Sequence, residues 1–113
     1  MRYVFLMLLM MVGFTGMAQQ KKNKNAKYNV EVNGNCEMCK KRIEKAAFSV
    51  AGVKSAVWNT EDTTLHLILN EEKCSVTDVE KAVAKVGHDT KNVKASKEDY
   101  EKLHACCQYE RIK

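Results

Sequence analysis

One apolar pattern occurs twice between residues 28 and 94, and this duplication narrows the possible folds more than any other feature of the chain. An alternating stretch, Tyr28, Val30 and Val32 against Asn29, Glu31 and Asn33, is followed by Ile43, Ala46, Ala47 and Val50 at helical spacing. Ala51-Gly52 ends that helix. A second alternation, Leu65, Leu67 and Leu69, then precedes Val79, Ala82, Val83 and Val86 at the same i, i+3, i+4, i+7 spacing, and Gly87 ends it. A period of 2 buries one face of a strand, and a period of 3.6 buries one stripe of a helix. Each half therefore needs an apolar partner layer, and the other half supplies it.

The expected elements are a strand at about 27–33, a helix at about 39–50, and strands at about 53–59 and 63–69 around a Glu61-Asp62 turn. A helix at about 76–86 and a strand at about 89–94 follow. Ser75 or Thr77 can cap the second helix, each with an acidic residue three positions on, Asp78 or Glu80. The order βαββαβ predicts an α+β, ferredoxin-like sandwich: a four-stranded antiparallel sheet with two helices on one face. A short C-terminal helix is expected at about 96–106, with Tyr100, Leu103 and Cys107 on one side.

Residues 1–18 read as a signal peptide. Arg2 is a short positive region, Tyr3 to Phe14 is nearly unbroken apolar sequence, and Gly16-Met17-Ala18 offers small residues for cleavage. The apolar run is shorter than the roughly 20 residues that span a bilayer, so no stable membrane insertion is expected after cleavage. The alternative is an uncleaved anchor. Residues 19–27 read as a flexible basic linker, 28–94 as the folded domain and 95–113 as a C-terminal helical extension carrying Cys106-Cys107. Export implies a periplasmic or secreted protein in an oxidising compartment, yet five cysteines cannot all pair within one chain. A net charge of +5 is mildly basic and suits an acidic partner surface. No aromatic-interleaved basic stripe or nucleic-acid motif is present, so no nucleic-acid partner is expected.

Cys36-Glu37-Met38-Cys39 lies where the first strand gives way to the first helix. That junction puts two thiols on one short loop, and the positive end of the helix favours thiolates there. Two thiolates suit soft, low-coordinate ions: Cu(I) above all, and also Hg(II) or Zn(II). A structural or redox disulfide is the competing reading of the same pair.

The residues Gly34 to Ala46 (GNCEMCKKRIEKA) resemble the metal loop and first helix of the heavy-metal-associated domain family. Gly52-Val53-Lys54-Ser55-Ala56, Val79-Glu80-Lys81-Ala82-Val83 and Gly87-His88-Asp89-Thr90 resemble its second strand, second helix and last loop. The likeness covers roughly residues 28–94. It implies a copper chaperone or mercuric-ion-binding protein that meets a metal-transporting ATPase or another metal acceptor. Where the family usually carries a methionine two residues before the first cysteine, this chain has Gly34, and Met38 is the residue at hand to fill part of that space.

Cys36 and Cys39 are thus the first metal candidates. His88, in the loop before the last expected strand, is a candidate third ligand, with a surface histidine as the alternative. A helix of about ten residues climbs roughly 15 Å, about the length of a short strand. It could return Cys106 and Cys107 to the Cys36–Cys39 loop as ligands or disulfide partners, or they form a separate thiol pair. Lys40, Lys41 and Arg42 offset the charge of a thiolate-bound ion or steer an acidic acceptor, or form a solvated helix face. His66 alternates onto the outer face of the sheet, and Cys74 reads as a small core residue.

The expected function is an exported carrier or scavenger that holds a soft metal by two thiolates and passes it on by ligand exchange. The alternatives are a thiol-disulfide oxidoreductase and a metal-sensing domain that docks on a pump. Thioredoxin-like enzymes depend on a cis-proline facing the CxxC, and this chain has no proline. No acid/base pair or Ser/His/Asp arrangement suggests hydrolysis, so no enzyme activity is expected.

Overall fold

The computed structural model describes residues 22–111, so the expected signal peptide lies outside the described residues. Strand β1 spans Ala26–Glu31, helix α1 Glu37–Phe48, β2 Val53–Asn59, β3 Thr64–Leu69 and helix α2 Val76–Lys85. A short helix α3, Lys97–Glu101, and a 3-10 turn, Ala105–Cys107, follow. The sheet has the order β1-β3-β2 and is antiparallel throughout. The register sets Val30 opposite Leu65 and Trp58 opposite Leu65 from the other side, so the apolar residues of all three strands meet on one face. That face carries Val30, Ala56, Trp58, Leu65, Leu67 and Leu69, all buried. Helix α1 covers it with Ile43, Ala46 and Ala47, and α2 with Val79 and Val83. His66 faces outward, where Nδ1 meets Asn29 Oδ1 at 2.7 Å, as its place in the alternation predicts. Ser75 provides the cap of α2 and forms a reciprocal capping box with Asp78. No helix among the described residues is long and apolar enough to cross a membrane.

Two expectations need correction. The stretch at 89–94 is not a strand: among the described residues it pairs with β1 through one isolated bridge, Val32 with Thr90. Glu80, on α2 and 1% exposed, explains the change. Its carboxylate accepts from Thr90 Oγ1 at 2.7 Å, Asn92 N at 3.0 Å and Asn92 Nδ2 at 3.3 Å. Thr90 in turn donates its amide to the Val93 carbonyl. These bonds satisfy a buried carboxylate, which would otherwise be costly, and they curl the chain into a turn where a strand would run on.

The C-terminal helix is also broken. Ser96 caps α3 through the Asp99 amide at 3.1 Å, but helical backbone stops at Lys102 and His104 is extended. Leu103 packs against Gly87, where an added Cβ would lie 2.9 Å from Leu103 Cγ and 2.7 Å from the Asp99 carbonyl oxygen. Gly87 also has φ +100°, so its lack of a side chain serves both the turn and the close approach. With Leu103 seated there, the chain bends and directs Cys107 and Tyr109 into the core.

Candidate metal centre

Cys36 is the residue that caps α1, in extended backbone, and it lies half-buried at the helix N-terminus. Cys39, one turn on, is fully buried. Their sulfurs are 3.3 Å apart. The tail returns to the same place: Cys36 Sγ lies 3.3 Å from Cys107 Sγ, and Cys107 Sγ lies 3.9 Å from Cys106 Sγ. The sulfurs of Cys36, Cys106 and Cys107 all fall within 4.8 Å of one another. Cys39 joins them through Cys36 and donates to Asn35 Oδ1 at 3.3 Å. All four are free thiols.

Cys74 is buried elsewhere, its thiol directed at the Asn70 carbonyl, as a small core residue would be. His88 lies beside the Cys loop, and the adjoining Asp89 O accepts from Asn33 N at 2.8 Å. The imidazole is fully buried and stacks on Tyr109, with ring centroids 5.6 Å apart. Its Nδ1 donates to the Asn33 carbonyl at 2.9 Å, and Nε2 is buried without a hydrogen-bond partner. The three-sulfur group does not include it.

Gly34 and Trp58 shape the loop. A Cβ on Gly34 would sit 3.1 Å from Trp58 Cη2 and Cζ2 and 3.2 Å from Cys39 Cβ. Trp58 is fully buried, and its Nε1 donates to the Val32 carbonyl at 3.0 Å. The indole thus fills the space under the loop that Met38 was expected to occupy in part. Met38 instead is 47% exposed, and its Sδ lies 3.6 Å from Cys106 Sγ, which adds a fifth sulfur to the rim of the site. Sequence reading gave no sign of this contact, because residues 38 and 106 belong to elements with no shared periodicity.

The electrostatics differ among the thiols. Burial pushes the Cys36 thiol up. The amides of Cys39 and Met38 and the thiols of Cys107 and Cys39 outweigh that and bring it down to about 7. Cys36 makes no side-chain capping hydrogen bond, so those amides act as nearby dipoles on the sulfur. Cys107 is pushed well up by burial and by its contacts with Cys39 and Cys36. Ionisation is therefore favoured at Cys36 and opposed at Cys107. Lys40 pairs with Glu44 at 2.7 Å and donates to the Trp58 carbonyl at 2.9 Å, a structural role. Met38, Lys41, Arg42, Lys45, Ala46, Ser49 and Val86 line an open groove beside the sulfurs.

A thiol pair at the start of the first helix of an antiparallel α+β sandwich, with further sulfurs in contact, defines a soft-metal-binding domain. No protein-family model matches the chain, and no curated protein does. Solved structures do. The chain is 27% identical to the CopZ metallochaperone over 57% of this chain and 98% of that one, with a TM-score of 0.56. It is 31% identical to the N-terminal domain of a potential copper-translocating P-type ATPase from Bacillus subtilis, in its Cu(I)-loaded state, over 58% and 84% at a TM-score of 0.56. Oxidized MerP from Ralstonia metallidurans CH34 matches at 25% identity over 57% and 94%, with a TM-score of 0.51. The chain belongs to the heavy-metal-associated domain family.

Proposed function

We propose that this protein is an exported carrier or scavenger that holds one soft metal ion, Cu(I) in the first instance, through Cys36 and Cys39 and hands it on by ligand exchange. The observation that carries the reading is the 3.3 Å contact of those two sulfurs at the start of α1, one half-exposed and one buried. Cys39 retains the ion, while Cys36 is accessible to an incoming thiolate. The partner's sulfur bonds to the ion first, and the bond to Cys36 then breaks, so no electron changes hands. The acceptor is a metal-transporting ATPase or another metal acceptor protein. The copper-translocating ATPase domain and the metallochaperone among the similar structures support that class of partner. Hg(II) and Zn(II), which thiolates also bind, are the alternative cargoes.

The test is an anaerobic Cu(I) titration against a competing chelator, run on the reduced protein and on Cys36→Ser/Cys39→Ser. Tight uptake that the double variant loses supports the carrier. Undiminished uptake by the variant overturns it. Insulin reduction, measured in parallel, tests the oxidoreductase alternative, for which the lowered Cys36 thiol would also be suited. N-terminal sequencing of the protein from the periplasm or medium tests export and cleavage after Ala18.

A further inference from the structure

We infer that the C-terminal Cys106-Cys107 pair binds the ion together with Cys36, so that the site holds its cargo with three thiolates. The inference rests on the proposed soft-metal reading: Cys36 is the shared ligand, Cys106 and Cys107 take the place of Cys39 while the ion is stored, and Cys36 and Cys39 are the pair that holds it when the tail lets go.

The first argument is distance. An ion bonded to sulfur at about 2.3 Å in a trigonal plane sets its ligand sulfurs about 4.0 Å apart, by the geometry of the triangle. Cys106 and Cys107 lie 3.9 Å apart, and with Cys36 they stay within 4.8 Å of one another. Closing around an ion therefore needs little more than side-chain rotation. Each bound thiol releases its proton to water, and no oxidant or reductant takes part.

The second argument is that the tail is fixed at this position by bonds on both sides of its thiols. Tyr109 Oη donates to the Gly87 carbonyl at 2.8 Å and accepts from the Asp89 amide at 2.7 Å. Tyr100 Oη donates to the Tyr109 carbonyl, and their rings meet edge to face at 5.1 Å. Arg111 binds the carboxylate of Asp89 and the Ala95 carbonyl, and its guanidinium lies 4.9 Å over the Tyr100 ring. The two cysteines sit between Leu103 and Tyr109, both buried, so the tail is anchored on either side of its thiols. A bond between adjacent cysteines is strained, which leaves the pair free for an ion.

The third argument is charge. A monovalent ion with three thiolates carries a net negative charge. The positive end of α1 lies at Cys36, and Lys41, Arg42 and Lys45 share a groove with Met38, which touches Cys106. These groups offset that charge. The tail thus adds a bond beside the half-exposed Cys36, and that third bond slows release.

The experiment loads one equivalent of Cu(I) anaerobically onto the full chain, Cys106→Ser, Cys107→Ala and Cys36→Ser/Cys39→Ser. It reads the number of sulfurs and the Cu–S distance at the copper K-edge, and the rate at which a chelator removes the metal. Three sulfurs in the parent, a drop to two with shorter bonds in either tail variant, and faster removal are expected. Cys107 is fully buried, so circular dichroism checks that Cys107→Ala folds, and the exposed Cys106→Ser decides the matter if it does not. Two sulfurs in the parent, unchanged in Cys106→Ser, would overturn the inference and leave the two-thiolate carrier intact. Uptake unaffected in Cys36→Ser/Cys39→Ser would instead sink the carrier reading.

Discussion

Arg111 grips Asp89 through two parallel hydrogen bonds, Nε to Oδ2 at 3.0 Å and Nη2 to Oδ1 at 2.8 Å. The carboxylate side chain is 2% exposed and the guanidinium 26%. Pairing of this fork geometry holds planar groups in one orientation. Removing the arginine leaves a buried charge with only the Ala95 amide, at 2.7 Å, for support. Arg111→Ala should therefore destabilise the domain by about 3 kcal/mol, read by urea denaturation. Arg111→Lys, which keeps the charge but not the fork, should recover only part of that loss.

The thiol of Cys36, brought down to about 7, should alkylate before the other cysteines. A thiol reacts as the thiolate, which predominates above its pKa. In the reduced metal-free protein, the rate of iodoacetamide labelling at Cys36, followed by peptide mass spectrometry, should rise through a midpoint near pH 7. A midpoint in the ordinary thiol range would contradict the influence of the helix amides.

Burial lowers the pKa of His88, so the folded protein keeps it neutral to a lower pH than the unfolded chain does. The unfolded chain then binds the extra proton, and stability falls as pH drops below the ordinary imidazole value of about 6.5. The melting temperature should decline in that window for the parent protein. It should decline less for His88→Phe, which retains a ring to stack on Tyr109. An equal slope in both proteins would assign the acid sensitivity to other groups.

Gly34→Ala should disturb the metal loop from beneath. The new methyl group would press on both the Trp58 indole and the Cys39 Cβ at 3.1 to 3.2 Å. Overpacking at such a contact costs on the order of 1–2 kcal/mol. Thermal denaturation should show that loss, and tryptophan fluorescence should report the displaced indole.

The first five elements were legible because each buries one face, and burial imposes its period on the residue pattern. Ile43, Ala46 and Ala47 on α1, or Leu65, Leu67 and Leu69 on β3, are read directly from that rule. The last strand was misread because its fate depends on a polar residue: Glu80 captures Thr90 and Asn92, and hydrogen bonding of that kind has no period. Tail residues 100–109 kept the expected side, with Leu103 and Cys107 buried, but not the expected continuous helix. The sequence left Cys106 and Cys107 open between a shared site and a separate thiol pair, and the continuous helix expected to carry them back to Cys36 is broken after Lys102. The latch that holds them there, Tyr109 and Arg111 on Gly87 and Asp89, joins residues about 22 apart and leaves no local pattern. Trp58 as the support of the loop was equally hidden, since its alternation marks it as buried without saying beneath what.

The curtailed fourth segment has a consequence at the far side of the sheet. Beyond the Val32–Thr90 bridge, strand β1 borders solvent, and the outward peptide groups between Lys27 and Asn29 have no ladder to join among the described residues. A bare border of this kind invites a second chain to zip onto it. Lys27 and Glu31, both exposed, place opposite charges along the rim. A strand arriving there would have to strip the hydration of both charges before it could settle, which disfavours the contact.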